Sequence, residues 1–190
     1  MVNDPMNRPT SAQRLVLGLL EGHAARDPGD GEVSGLFKAF AAGHLDCCER
    51  TLAGGHFTGS AWLVSVDGSR VLLTHHRKLD RWLQLGGHAD GDGDLAAVAL
   101  REAEEESGLT GLSVEPQPFD LDRHFIPARD EEDGHWHYDV RFVVRASGNE
   151  AFVASEESHA LAWREISAIA ADADADESLR RMAAKWLARR

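Results

Sequence analysis

Hydrophobic and polar positions along the chain follow two different periods, and each period predicts a kind of element. In residues 95–107 the apolar positions recur at the spacing of one helix face, which predicts an amphipathic helix. In residues 60–66 and 70–74 apolar and polar positions alternate, and a turn at Asp67 and Gly68 between them predicts a β-hairpin. The two periods together predict an α+β fold.

The rest of the chain fits the same class. Before the hairpin, residues 11–25 and 33–42 are predicted to be helices, separated by a turn rich in aspartate, proline and glycine. After the central helix, four segments are predicted to be strands and two to be helices. The strands are residues 113–118, 120–126, 136–146 and 161–163, and the helices are residues 166–170 and 177–188.

The central helix carries acidic side chains on one face. Glu102, Glu105 and Glu106 stand at positions i, i+3 and i+4, so their carboxylates share a face. A separate stripe of small and apolar residues would pack on the core: Ala96, Ala99, Leu100 and Ala103. Carboxylates this close repel one another unless a cation compensates, and their oxygens suit Mg²⁺ or Mn²⁺. The face is therefore predicted to bind a divalent cation and a phosphate ester or anhydride, the alternative being a solvated acidic surface.

The residues around this helix predict how it begins and ends. Gly86 and Gly87 follow an apolar run and are predicted to lie in a loop. Asp92 or Asp94 can serve as the N-cap, and Gly108 can end the helix in the left-handed conformation. Every local signal therefore agrees on a loop, a helix and a second loop.

Residues 87–109, which read GHADGDGDLAAVALREAEEESGL, resemble the Nudix box, G-x5-E-x7-R-E-U-x-E-E-x-G-U with U a bulky apolar residue. The matching positions are Gly87, Arg101, Glu102, Glu105, Glu106, Gly108 and Leu109, with Ala103 as a small version of the apolar position. Gly93 stands where the first glutamate belongs. In the family, the glutamate at this position resembles a residue that supports the loop more than one that binds the metal. We therefore expect Gly93→Glu to leave the Mg²⁺ requirement unchanged and to alter activity only modestly.

The resemblance also implies a fold. A mixed sheet sandwiched between helices is expected over residues 57–190, as the Nudix hydrolase domain. Residues 11–56 would then form a helical extension with two extra helices at the N-terminus. Residues 1–10 are polar and are expected to form a disordered tail.

The same resemblance implies a role for each functional residue. The principal Mg²⁺ ligands would be Glu105, Glu106 and the carbonyl of Gly86. Glu102 would bind metal or deprotonate the nucleophilic water, and Arg101 would orient Glu102 unless it forms only a surface ion pair. Glu157 resembles the late acidic residue that supplies another ligand or a general base, its alternative being part of a capping turn.

Basic side chains near the box and on later strands are candidate contacts for the phosphates of a substrate. They are Arg77, Lys78, Arg81, Arg123 and Arg141. For any single one of them the alternative is an ordinary surface charge.

Histidines form a second candidate site. His135 and His137 project from the same side of a predicted strand, a spacing suited to gripping one ion. Imidazole is a preferred ligand of Zn²⁺, Mn²⁺ and Fe²⁺. The alternative is that these histidines are polar residues of loops and strands.

A resemblance to isopentenyl diphosphate isomerase, a divergent member of the same fold, extends this site. The histidine-glutamate metal pattern of the isomerase maps onto His56, His88, His135 and His137, with Glu49 as a fifth ligand. The isomerase has a proton-transferring cysteine two residues before the histidine of the box loop, where this chain has Gly86. The isomerases also lack the complete R-E-x-x-E-E set, so hydrolysis is favoured.

Composition and charge narrow the class of protein. The 190 residues, 43% hydrophobic and 27% charged, suffice for one domain with a substantial core. A net charge of −12 without a basic stretch disfavours duplex nucleic acid, and no apolar run approaches the ~20 residues of a membrane span. Cys47 and Cys48 are adjacent and give no disulfide framework. We expect a cytoplasmic protein with a small-molecule diphosphate substrate and no membrane partner, compatible with a homodimer.

Three functions remain. The favoured one is Mg²⁺-dependent hydrolysis of a diphosphate linkage in a nucleoside diphosphate derivative or similar small molecule, by a Nudix-type pyrophosphohydrolase. The alternatives are an enzyme similar to isopentenyl diphosphate isomerase and a Nudix module that senses a ligand without catalysis. The intact glutamates argue against the last.

Overall fold

A computed structural model describes residues 8–26, 30–77, 80–129, 133–153 and 158–189. Over these residues the chain forms a seven-stranded mixed sheet and five helices. The strands are β1 (Gly55–Val64), β2 (Arg70–His76), β3 (Arg81–Leu83), β4 (Leu85–His88), β5 (Ser113–Ile126), β6 (His135–Arg145) and β7 (Ser158–Glu165). The helices are α1 (Ser11–Arg26), α2 (Gly31–Gly43), α3 (Leu95–Ser107), α4 (Ile166–Ala171) and α5 (Glu177–Leu187). None of these helices combines the length and apolar character that crossing a membrane requires.

Strand β1 lies in the middle of the sheet. It pairs in parallel with β6 over its whole length, and its opposite edge pairs antiparallel with β4 and, at Val64, with β2. The sheet continues from β6 to β5 on one side and from β2 to β3 and β7 on the other. Residues 58–61 of β1 therefore lie between β4 and β6.

Helices cover both faces of the sheet, which confirms the predicted α+β sandwich. On one face α3 packs so closely on β1 that a side-chain carbon at Gly59 would stand 3.0 Å from Val98. On the other face α4 and α5 cover a cluster that includes Trp62, Ile166 and Met182. The two faces thus differ in the helices that cover them.

The N-terminal helices share the core of the sheet. Val16 and Leu20 of α1 and Phe37 of α2 are fully buried in a cluster that also contains Leu95 and Ala99 of α3. Burying each of these large apolar side chains stabilises the fold by about 1.5–3 kcal/mol. The helices predicted as an extension therefore contribute to the same hydrophobic core as the sheet.

Several strands differ from the prediction. β7 spans Ser158–Glu165 where only residues 161–163 were predicted, and β3 was not predicted. β5 is one strand where the alternation predicted two, and its register shifts at Pro118, which has no N–H to donate to the ladder. β1 begins at Gly55 and not at residue 60, and all 10 of its residues are buried. Burial on both faces removes the alternation on which the prediction depended.

Candidate active site

Helix α3 has the ends that its sequence predicts. The Asp94 side chain accepts a hydrogen bond from the Ala97 N–H at 3.1 Å, so Asp94 is the N-cap, while Asp92 accepts from the Asp94 N–H at 2.9 Å. Gly108 ends the helix with a φ of 67°, and its N–H donates to the Glu104 carbonyl. Such a left-handed residue favours glycine, because other residues are strained there. The predicted helix and both of its caps are confirmed.

Gly86 and Gly87 lie in strand β4, so the prediction of a loop at these two residues was wrong. Gly86 stands opposite Ser60 of β1, and a side-chain carbon at Gly86 would lie 2.7 Å from the Ser60 Cα. A side-chain carbon at Gly87 would lie 2.5 Å from the Glu102 carboxyl carbon. The two glycines thus allow β1 and the acidic face of α3 to approach β4 together.

Two glutamates of α3 contact this strand directly. The Glu106 Oε1 accepts a hydrogen bond from the Gly86 N–H at 3.1 Å, and the Glu102 carboxylate lies against Gly87. Both side chains are half-buried, whereas Glu105 is exposed. The predicted ligands therefore share one face of α3, with Glu102 and Glu106 against β4 and Glu105 in solvent.

Arg101 connects the acidic face to the end of β4. Its Nη2 lies 3.3 Å from Glu102 Oε1 and 3.4 Å from the His88 carbonyl oxygen. A guanidinium that contacts both groups restricts where the Glu102 carboxylate can point. This direct contact is consistent with the predicted role of Arg101 in orienting Glu102.

Three of the predicted histidine ligands come together on the opposite side of β4. His56, His88 and His137 each offer a ring nitrogen, and these atoms all lie within 4.8 Å of one another. Strand pairing assembles them, because His56 stands opposite His137 and Thr58 stands opposite His88. His135 joins the cluster through its Nε2, which lies 3.2 Å from the Nε2 of His137. We refer to these four residues as the histidine cluster.

The interior of the histidine cluster is buried and uncharged. His56 is 2% exposed, and neither of its ring nitrogens has a hydrogen-bond partner among the described residues. Burial, together with neighbouring imidazoles, lowers the pKa of His56 to about 4 and the pKa of His137 to about 2. Both rings are therefore neutral at pH 7, which is the form that binds metal ions.

The structure does not bring Glu49, the predicted fifth ligand, into this group. Its carboxylate is exposed and lies beside Gly91, where a side-chain carbon would stand 2.6 Å from Oε1. In the described part of the chain, the set of converging ligand atoms contains histidines alone. Glu157 and Lys78 lie outside the described residues.

A buried polar network below the histidine cluster was missed in the sequence. Asp139 accepts hydrogen bonds from Thr58 at 2.9 Å and from Ser60 at 2.7 Å, and it pairs with Arg141 at 2.7 Å. The Gln84 amide also donates to Asp139, at 3.2 Å. The network therefore ties β1 and β6 to the segment that enters β4.

Arg141, a candidate contact for substrate phosphates with an ordinary surface charge as its alternative, is neither, because it is buried. It is 2% exposed and forms ion pairs with Asp120, Asp122 and Asp139. The sequence did contain a signal for this buried network. Asp120 and Asp122 are two residues apart on one strand, and Asp139 and Arg141 are two residues apart on the next. Only the β5–β6 pairing shows that these side chains meet.

His124 lies between this network and the histidine cluster. Its ring centroid is 5.4 Å from that of His137, and its Nδ1 lies 3.2 Å from Asp122. Burial of Asp122 is outweighed by the hydrogen bond with His124 and by the charges of Arg141 and Arg181, which lower its pKa well below the ordinary range. Asp122 is therefore ionised and holds the His124 ring in place.

Two of the other candidate phosphate contacts, Arg123 and Arg81, have partners of their own. Arg123 stacks on Trp136 with its guanidinium carbon 3.9 Å from the ring centroid. Arg81 lies 3.5 Å from an oxygen of Asp176. Arg77 is exposed.

Comparison with known proteins places residues 56–186 within a match to the sequence profile of the NUDIX domain. A NUDIX-family hydrolase from Clostridium perfringens is similar in structure, with 21% identity, a TM-score of 0.53 and coverage of 70% of this chain and 96% of that chain. An Ap4A hydrolase of C. elegans has 18% identity, a TM-score of 0.53 and coverage of 70% and 95%. The dihydroneopterin triphosphate pyrophosphohydrolase of E. coli has 17% identity, a TM-score of 0.55 and coverage of 70% and 96%. No curated protein sequence matches the chain significantly.

Proposed function

The chain belongs to the Nudix hydrolase family, and from this premise we propose that it hydrolyses a diphosphate linkage in a nucleoside diphosphate derivative or a similar small molecule. The observation that carries the proposal is the contact between the acidic face of α3 and the glycines of β4. Glu106 accepts from the Gly86 N–H, and Glu102 lies against Gly87 with Arg101 beside it. Two glutamates of the R-E-x-x-E-E set thus contact β4, and Glu105 lies exposed on the same helix.

The acidic face suits Mg²⁺ or Mn²⁺, because its donors are hard carboxylate oxygens with access to solvent through Glu105. Glu105 and Glu106, with the Gly86 carbonyl, would hold the ion, and Glu102 would either bind it as well or deprotonate the nucleophilic water. A bound divalent ion neutralises charge on the diphosphate oxygens and favours ionisation of a water.

The side chains of the chain itself supply position and proton transfer. In the reaction a water oxygen bonds to phosphorus while the bond from phosphorus to the bridging oxygen breaks, and the bridging oxygen leaves on the other phosphate. We propose Glu102 as a group that accepts the proton of that water, and the contact of its carboxylate with Arg101 at 3.3 Å supports this role. Glu157 stays a candidate for the same proton transfer on the family resemblance.

Hydrolysis of a substrate panel, with Mg²⁺ and with Mn²⁺, tests the proposal. The panel contains nucleotide sugars, NADH, ADP-ribose, nucleoside triphosphates, Ap4A and dihydroneopterin triphosphate. The last two are included because proteins of similar fold are named as their hydrolases. We expect at least one compound to be cleaved with either metal and none in EDTA. Deuterium exchange into isopentenyl diphosphate would favour an isomerase, and a ligand-induced thermal shift without turnover would favour a sensing module.

We further propose that the histidine cluster binds one transition-metal ion, such as Zn²⁺, Mn²⁺ or Fe²⁺, with His56, His88 and His137 as ligands and His135 beside them. Three convergent imidazole nitrogens suit such ions. Burying the two unpartnered nitrogens of His56 costs free energy, which a metal bond would offset. The His124 ring, which Asp122 holds, packs against the ring of His137 and would limit the movement of that ligand.

We also propose a cellular compartment and an oligomeric state. Cys47 and Cys48 are buried free thiols, which fits a reducing compartment such as the cytoplasm. A homodimer stays a prediction that the sedimentation coefficient of the purified protein tests.

A further inference from the structure

Gly93 is the one position of the box where this chain lacks the family's acidic residue, and the structure shows what occupies that place. A side-chain carbon at Gly93 would stand 2.5 Å from the carbonyl oxygen and 2.8 Å from the carbonyl carbon of Ala12 in α1. Real side-chain carbons do not come this close to backbone atoms. The backbone of α1 therefore fills the space that a longer side chain would need.

The backbone conformation at position 93 is not the reason for the glycine. Gly91 and Gly108 have positive φ angles of 85° and 67°, but Gly93 is not among the residues with a positive φ. A residue with a side chain can adopt this conformation without strain. What excludes a side chain at Gly93 is the packing of α1.

Helix α1 is held firmly at this point. Thr10 accepts a hydrogen bond from the Gln13 N–H at 3.1 Å and donates its hydroxyl to the Leu45 carbonyl at 3.1 Å. The amide of Gln13, which is 2% exposed, donates to the Ala41 carbonyl at 2.7 Å. Further along α1, Val16 is fully buried in the core. The first turn of α1 is therefore fixed both to α2 and to the segment that follows it.

The same N-terminal region holds the rest of the connection between β4 and α3. The Gly91 N–H donates to the Cys48 carbonyl at 3.0 Å. Asp90, which has a φ of 48°, forms an ion pair with Arg50. Residues 89–94 are thus docked on residues 10–50 along their outer side.

We propose that α1 is a positioning element of the active site, which supports the connection between β4 and α3 in place of the side chain absent at Gly93. The inference rests on the proposed function, because the positioned groups are the acids of α3 and the glycines of β4. The connection joins β4 to α3, and the Gly86 N–H of β4 donates to Glu106 of α3 at 3.1 Å. Displacing α1 from Gly93 would let α3 shift relative to β4.

This geometry revises the expectation for Gly93→Glu. A glutamate at position 93 cannot be added while α1 keeps its place, so the variant should lose the support of α1 and not gain a second one. We therefore expect more than a modest effect, and we expect it in metal activation. The concentration of Mg²⁺ that gives half-maximal activity should rise about tenfold, because misplaced carboxylates bind the ion less well.

The experiment compares Gly93→Glu and Gly93→Ala with Gly35→Ala, a matched control on α2 where a side-chain carbon meets nothing within 4 Å. Substrate hydrolysis is titrated with Mg²⁺, and amide hydrogen exchange of residues 89–94 is measured on the same proteins. Both Gly93 variants should need more Mg²⁺ and should exchange faster at the Gly91 amide, with Gly93→Ala the milder. Gly35→Ala should match the wild type in both measurements.

Gly93→Ala adds one carbon only and keeps the test usable where Gly93→Glu does not fold. Wild-type Mg²⁺ activation or wild-type exchange in a folded Gly93 variant would overturn the proposal. Exchange does not depend on turnover, so it separates two failures. A wild-type protein that hydrolyses no substrate contradicts the proposed function, whereas unchanged exchange in the Gly93 variants contradicts the support by α1.

Discussion

The acidic face of α3 and the histidine cluster lie on opposite sides of β4 and are built in different ways. Successive turns of one helix present the glutamates, whose carboxylates contact Gly86 and Gly87. Three separate strands present the histidines, and His88 faces away from α3 because neighbouring residues of a strand point in opposite directions. A single strand can thus separate a charged, partly solvated cluster from a buried, neutral one.

The difference in environment indicates a difference in chemistry. Among the described residues the histidine nitrogens converge within 4.8 Å, and the carboxylates of α3 do not form such a group. Spread oxygen donors near solvent suit an ion that keeps several waters and meets a substrate phosphate. Converging buried imidazoles suit an ion held mainly by the protein. We therefore expect damage to the two clusters to have different consequences.

The largest effect is expected for Glu106→Gln. Glutamine keeps an oxygen that can accept the Gly86 N–H but removes the ligand charge, so the hydrolysis rate should fall about a thousandfold, or about 4 kcal/mol of barrier. The thermal midpoint and the transition-metal content should barely change. Steady-state kinetics and elemental analysis check both statements.

Glu104→Gln is the matched control for Glu106→Gln. Glu104 is exposed on the same helix and lies outside the set of predicted ligands. Its substitution should leave the rate unchanged. Full turnover by Glu106→Gln would remove the acidic face from the catalytic site.

A smaller effect, on stability, is expected for Arg141→Leu beneath the histidine cluster. Removing this buried guanidinium leaves Asp120, Asp122 and Asp139 close together without their shared cation. The free energy of unfolding should fall by about 3 kcal/mol, as measured by urea denaturation. Arg145→Leu, which removes an ion pair at 47% side-chain exposure, should cost less than about 1 kcal/mol. Equal losses in the two variants would contradict the structural role of the network.

The smallest effect on catalysis is expected for the double variant His135→Ala, His137→Ala. Its transition-metal content should fall from about one ion per chain to near zero, while the hydrolysis rate falls only about tenfold through looser support of β4. His159→Ala removes an exposed histidine outside the cluster and should change neither quantity. Elemental analysis of protein purified without an affinity tag makes the comparison. A thousandfold loss of rate in the double variant would place the histidines in the catalytic centre.

A region is predictable from the sequence when its contacts join residues that are close together in the sequence. The bounds of α3, its caps and its acidic face were predictable, because helix spacing and capping involve residues only a few positions apart. The His135 and His137 pair was predictable from strand periodicity. Their meeting with His56 and His88 depends on the parallel pairing of β1 with β6, which no local pattern encodes.

Two failures have specific physical causes. Strand β4 was predicted to be a loop because Gly86 and Gly87 disfavour strands in general, yet here their missing side chains allow β1 and α3 to approach. The reason for Gly93 was hidden because its neighbour, Ala12, is distant in the sequence. In both places glycine is required by a close contact with residues that are distant in the sequence.

Anomalous scattering from crystals soaked with Zn²⁺ and Mn²⁺, collected at both absorption edges, tests the separation of the two clusters most directly. We expect a Zn²⁺ peak about 2.0–2.1 Å from ring nitrogens of His56, His88 and His137, and a distinct Mn²⁺ peak beside Glu102, Glu105 and Glu106. Density for both ions at the glutamates alone, with nothing at the histidines, would contradict the existence of two centres.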